Sequence, residues 1–201
     1  MLILRSSPPS PFGRKIKIAA SLLGLSDQIK IETTDTNDPS DSIRKQNPLG
    51  KIPALILEDG SALFDSPVIL EYLDAFAGGG KIIPREGKAR WDVLRLHAIA
   101  DGIMDAALLQ VYEKRFRPEE HWVAKWTDYQ AEKVARTLDV LEAAPPALTA
   151  VPDIGQIGLA CALGYLDLRF EGKWRAKYPK LVAWLDDFAT KVPAFEKTKA
   201  H

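Results

Sequence analysis

Pro53 stands directly in front of the apolar run Ala54-Leu55-Ile56-Leu57, and that placement constrains the local fold more than any other position. Proline has no N–H and fits a ladder poorly, so it belongs at a strand's first residue or at an edge. An X-Pro bond at a strand entrance is also where a cis peptide is expected. In that geometry Ile52 turns its backbone N–H and C=O outward, where an extended, peptide-like ligand can pair with them. Downstream, Asp65-Ser66-Pro67 puts a hydroxyl and unpaired N–H groups at a helix amino terminus, an arrangement that favours a carboxylate. Together these features point to a small peptide ligand.

The elements around this segment alternate in type. Leu2-Ile3-Leu4 reads as a buried strand, and Ser6 to Pro11 as a turn-rich loop. Pro11 suits the first turn of a helix, where its missing N–H is no loss. Phe12, Ile16, Ala19, Ala20 and Leu23 then fall at helical spacing, with Gly24 as the stop. Ile29 to Thr33 alternates like a half-buried strand, and Asp38-Pro39 opens a short polar helix reaching Lys45. A third strand over 53–57 and a fourth over 62–64 are joined by the tight turn Asp59-Gly60. Ser66 is expected to cap a helix running to Phe76, with Pro67 at its first position and Gly78-Gly79-Gly80 ending it.

Beyond Ile83-Pro84 the strand signals stop. Segments 90–115, 121–144, 154–170 and 178–192 all carry helical periodicity, and Leu94, Ala98, Met104, Leu108, Leu109 and Tyr112 are expected to be buried in a bundle. The predicted organisation is an α/β unit, βαβαββα, over residues 1–77, a linker over 78–87, and an all-helical domain over 88–201.

Lys+Arg and Asp+Glu are both 27, so no basic excess argues for nucleic acid or an anionic membrane. No uncharged run approaches a membrane span, and Met1 to Leu4 is too short for a signal-peptide core. A cytoplasmic protein is expected. The single cysteine, Cys161, excludes an internal disulfide, a CxxC pair and a cysteine-rich zinc site; no metal is expected.

The βαβαββα pattern with proline at the third strand, followed by helices alone, resembles the glutathione transferase superfamily. Ser10-Pro11-Phe12-Gly13-Arg14-Lys15 is similar to the bacterial Ser-Pro-Phe form of that family's first active-site loop. Asn47 to Pro53 resembles its cis-proline segment, Phe64-Asp65-Ser66 its acidic-Ser pair, and Leu159 to Asp167 the core helix of its second domain. The resemblance implies a thioredoxin-like amino-terminal domain, a helical-bundle carboxy-terminal domain and glutathione as co-substrate. It implies that Ile52 and Pro53 hold the cysteinyl backbone, while Asp65 and Ser66 take the γ-glutamyl ammonium and carboxylate. Lys51 or Arg14 would neutralise the glycine carboxylate.

A thiol of ordinary pKa is only a few per cent ionised at neutral pH, so its conjugation needs a donor near sulfur that favours the anion. A hydroxyl at a helix amino terminus supplies both an O–H and the helix dipole. The resemblance puts that role on Ser10, immediately before Pro11; Ser7 and Ser6 are alternative donors because Pro8-Pro9 makes the loop unusual. Serine cannot form the mixed disulfide that a cysteine there would, so conjugation is favoured over thiol reduction. Cys161, mid-helix among apolar residues, reads as a buried small hydrophobe. Asp153 with Gln156 three residues later reads as a capping box.

For the second substrate, an electrophile, the candidates are Tyr112, Trp122 and Arg169, with Phe116 and Tyr165 nearby and Arg115 and Arg117 able to welcome an acidic acceptor. Asp101 lies on the helix that in the family forms the homodimer contact, where an acidic residue in some relatives reaches the partner's glutathione. The alternatives to a transferase are a glutathione-binding module of the same fold with little turnover, and a glutathione-dependent thiol reductase.

Overall fold

The apolar opening strand β1 (Leu2–Ser6) becomes an inner strand of a four-stranded sheet ordered β2-β1-β3-β4. The computed structural model describes residues 1–200. Strand β2 (Ile29–Thr33) runs parallel to β1, with Leu4 opposite Ile31. A parallel pair needs a crossover, which α1 (Pro11–Leu22) provides. Strands β3 (Ala54–Ile56) and β4 (Ala62–Leu63) complete the sheet antiparallel, Leu4 facing Leu55 and Leu55 facing Leu63. Between β2 and β3 lies α2 (Ile43–Gln46), and α3 (Ser66–Phe76) follows β4.

The turn between β3 and β4 is closed by Asp59, whose Oδ1 accepts from the Ser61 N–H at 2.9 Å, with Gly60 at φ 84°. The expected helix over 38–45 is shorter than its sequence suggests. Asp38 Oδ1 takes both the N–H and the hydroxyl of Ser40, and Asp41 Oδ1 takes the Ile43 N–H. Short polar side chains that satisfy the backbone locally compete with helix, and only Ile43–Gln46 is helical.

The remainder is helical among the described residues: α4 (Gly87–Phe116), α5 (Ala124–Ala143), α6 (Ile154–Phe170), α7 (Pro179–Lys191) and α8 (Pro193–Lys197). Helix α6 is the axis, with Leu159, Ala160, Cys161, Ala162 and Leu163 all fully buried. Asp153 and Gln156 form a reciprocal capping box at its start. Glycine permits its close approach to α4: a Cβ at Gly155 would lie 2.8 Å from that of Leu96. On α4 the expected core is partly wrong. Met104 is buried, but Ala98 and Leu109 face solvent, and His97 and Glu113 take buried places instead. The thioredoxin-like unit and the helical unit meet through α1, which packs on α6, α4 and α8.

Candidate functional site

Ser10 caps α1. Its Oγ accepts from the Gly13 N–H at 3.1 Å, and Pro11 occupies the first helical position. A hydroxyl has two acceptor lone pairs and one donor, so capping leaves the O–H available to a ligand. Of the alternative donors, Ser6 is buried behind α1, its Oγ only 2.1 Å from where a Cβ at Gly13 would stand. Ser7 is half-buried, and its carbonyl accepts from the Ser10 N–H at 3.2 Å. The Arg14 guanidinium is engaged within the protein. It is buried, donates to the Phe195 carbonyl at 2.6 Å and lies 4.0 Å over the Phe195 ring, tying α1 to α8.

The Ile52–Pro53 peptide bond is cis, and among the described residues neither the N–H nor the C=O of Ile52 has a hydrogen-bond partner. The loop leading to it is built on buried Asn47, whose Nδ2 donates to the Lys51 carbonyl at 2.9 Å and whose Oδ1 accepts from the Leu49 N–H at 3.0 Å. Gly50, at φ 62°, makes the turn between them. The Lys51 side chain is exposed.

The α3 cap is shifted one residue from the expected position. Asp65, not Ser66, is the N-cap, its carboxylate accepting from the Ser66 N–H. Ser66 is fully buried, and its Oγ has no hydrogen-bond partner among the described residues. Asp65 itself is exposed. A buried, unpartnered hydroxyl at the amino end of a helix, beside an open carboxylate, fits the zwitterionic end of an amino acid.

Behind this corner lies a charged cluster with no obvious sequence signal. Lys15 is fully buried, its Nζ 2.5 Å from Asp101 Oδ1 and 2.9 Å from His97 Nε2. Burial lowers the lysine pKa, with Asp101 opposing, and raises that of Asp101, with Lys15 opposing. Burial, then the lysine charge, pulls His97 down to about 3, so the ring is neutral and Nε2 accepts from Lys15. Asp105, one turn beyond Asp101, is held above the usual carboxylate range by partial desolvation and then by Asp65, with Lys51 countering. The α4 carboxylates therefore sense Asp65 from within the same chain. Asp101, expected at a partner's ligand, has one oxygen engaged by Lys15.

A cavity of about 330 Å³ opens beside the α1 amino terminus, with Pro9, Ser10, Arg14, Gly164, Tyr165 and Leu168 among its lining. Tyr112, Trp122 and Arg169 do not line it. Arg169 and Tyr112 gather near Tyr165 at the ends of α6 and α4. Trp122 folds back on the α4–α5 turn, its Nε1 donating to the Arg117 carbonyl at 3.0 Å. Cys161 is fully buried, and burial pushes its thiol up to about 11, which leaves it protonated and inert.

Lys15, His97, Asp105 and Asn47 are the residues of this region to which the sequence assigns no role. For Asn47 a signal exists, an asparagine three positions before the turn glycine Gly50, of the kind that bonds its own backbone.

The sequence matches the family models described as "Glutathione S-transferase, N-terminal domain" over residues 9–75 and "Glutathione S-transferase, C-terminal domain" over residues 102–187. It is 34% identical over 200 residues to the uncharacterized GST-like protein YibF of Escherichia coli, covering 98% of this chain and 97% of that one. A glutathione transferase family member from Pseudomonas fluorescens Pf-5, solved with bound glutathione, superposes with a TM-score of 0.91 at 39% identity over 100% of both chains. A structure of a family member from the same strain, with bound S-(propanoic acid)-glutathione, gives 0.89 at 41% identity, again over 100% of both chains. With both domains matched and a full-length relative above 30% identity, the chain belongs to the glutathione S-transferase family.

Proposed function

We propose that the chain is a glutathione transferase: it binds glutathione extended along Ile52 and Pro53 and activates the thiol through Ser10 for attack on a small electrophile. The observation that carries this reading is Ser66 Oγ, buried and without a partner at the amino end of the 11-residue helix α3. Leaving such a group unpaired costs about 1–3 kcal/mol. The γ-glutamyl carboxylate supplies the missing acceptor, and the exposed Asp65 carboxylate takes the neighbouring ammonium. Ile52 pairs with the cysteinyl backbone, and Lys51 neutralises the glycine carboxylate. Relatives solved with glutathione bound support the ligand assignment.

Ser10 then donates its O–H to the sulfur, favouring thiolate over thiol, and the α1 dipole adds to it. A drop of one to two pKa units corresponds to about 1.4–2.8 kcal/mol. The thiol proton leaves to solvent, a sulfur–carbon bond forms, and the electrophile's leaving group or π-electron pair takes the displaced charge. We place this activity in a cytoplasmic homodimer, with 1–77 as the glutathione-binding domain and 88–201 as the helical domain.

Calorimetry with glutathione, paired with conjugation kinetics of wild type and Ser10→Ala, tests the proposal. Glutathione binding retained by the variant with loss of most of the conjugation rate is the expected result. A wild type that binds glutathione but turns over no electrophile is a binding module instead. A glutathione mixed disulfide on Cys161 would establish the reductase.

A further inference from the structure

The cavity beside the α1 amino terminus carries a buried cation with no counter-charge. Arg14 is 7% exposed, and its three guanidinium nitrogens are used differently. Nε donates to Thr198 Oγ1 at 3.3 Å and Nη2 to the Phe195 carbonyl at 2.6 Å, both neutral acceptors. Nη1 has no hydrogen-bond partner among the described residues, and none of their carboxylates pairs with Arg14. Nor is Nη1 sealed from solvent, as the partnerless Ser66 Oγ and Gln130 Nε2 are. It lies against Gly164, where a Cβ would stand 2.5 Å away, and both Arg14 and Gly164 line the cavity. Its N–H groups therefore open into that space. The carboxylates there are otherwise engaged. Asp167 accepts from Arg175 at 2.9 and 2.7 Å and from the Trp174 indole at 2.8 Å, Glu196 lies 3.8 Å from Lys199, and Asp186 is exposed to water. A buried charge left without an opposite one is costly, and an anion in the cavity removes that cost.

We infer that this cavity is a second ligand site, for a small apolar monocarboxylate whose carboxylate accepts from the Nη1 N–H groups of Arg14. Pro8, Pro9, Leu168, Leu185 and Ala189 supply apolar surface for the body of the ligand. At about 330 Å³ the cavity stands at the lower end of ligand pockets, which sets that body at one ring or a short chain. One open guanidinium nitrogen suits a single negative charge. Asp167, Asp186 and Glu196 in the same lining repel a dianion such as a phosphate ester. The site is separate from the one proposed for glutathione, because Ile52, Pro53, Asp65 and Ser66 do not line it. Ser10 belongs to both, so the two ligands meet at its loop without competing for a charged group. Such a site needs no turnover of glutathione.

The test is an NMR titration of the full chain with benzoate, its neutral isostere benzamide and the dianion phenyl phosphate, each repeated with excess glutathione. Benzoate should bind at least tenfold more tightly than either, shift the Gly164 and Ala189 amides, and keep its affinity beside glutathione. Arg14→Gln should bring benzoate and benzamide within twofold. Because Arg14 also ties α1 to α8, a second variant leaves it in place: Ala189→Phe fills the cavity from the α7 wall. It should weaken benzoate at least tenfold with the thermal midpoint unchanged. Benzoate that binds no better than benzamide, that binds both variants as it binds wild type, or that glutathione displaces overturns the site. Each of these results leaves the transferase reading standing, since that reading is tested by glutathione binding and conjugation.

Discussion

Lys15 Nζ lies 2.5 Å from Asp101 Oδ1, so a fully buried ammonium on α1 is matched by a carboxylate on α4. The pair joins the sheet-bearing half of the chain to the helical half, one helical turn from the Ser10 cap. Its own pKa directions show burial outweighing attraction for both partners. The contact is therefore better understood as fixing the docking of α1 on α4 than as a net source of stability.

Removing one partner should be worse than removing both. Asp101→Ala leaves a buried charge uncompensated and should cost about 3–5 kcal/mol in urea denaturation. Lys15→Met combined with Asp101→Ala should recover much of that loss. A double variant as unstable as the sum of the single ones would contradict the argument.

His97 gives the fold a pH dependence of known sign. Its folded pKa, about 3, lies below the unfolded value of 6.5, so between these the unfolded chain binds the extra proton. Stability should fall as pH drops from 6.5 toward 3, with a slope of at most about 1.4 kcal/mol per pH unit from this group. Asp101 has the opposite sign: its raised folded pKa means the folded chain takes up that proton first as pH falls. Denaturant midpoints measured across this range should show a shallower slope in His97→Gln than in wild type.

Ser66→Ala should separate binding from folding. Its Oγ has no partner to lose, so thermal stability should be unchanged or slightly higher. Glutathione affinity should weaken tenfold or more by calorimetry. Equal affinity in the variant would remove the hydroxyl from the site.

Ser10→Ala should act on folding and on thiol ionisation. Losing the Gly13 cap should destabilise the chain by about 1 kcal/mol. Ultraviolet titration of bound glutathione should show thiolate forming one to two pH units higher than in wild type, in line with about 1.4–2.8 kcal/mol of lost anion stabilisation. An unchanged titration would move the role to another donor.

Where a residue's structural reason lies within a few positions of it, the sequence makes it legible. The Asp153–Gln156 box and helix α6 are visible because cap and apolar run adjoin. The Ser10-Pro11 entrance to α1 is visible for the same reason. The helix expected over 38–45 shrinks to Ile43–Gln46 because Asp38 and Asp41 look like helix-opening residues while acting as turn formers. Helix α8 escapes notice because its five residues are too few to establish a period. Lys15 is the hardest case. A lysine on an amphipathic helix is expected in solvent, and the partners that allow its burial lie 82 and 86 residues away.

The division of labour between Asp65 and Ser66 has a consequence for how this family diverges. Asp65 caps α3, so folding alone gives a reason to keep it. Ser66 offers the fold nothing through its hydroxyl. In a lineage that abandoned its thiol ligand, position 66 would drift toward alanine while the acid before it persisted. Adjacent positions would then record two separate histories, one of the scaffold and one of its occupant.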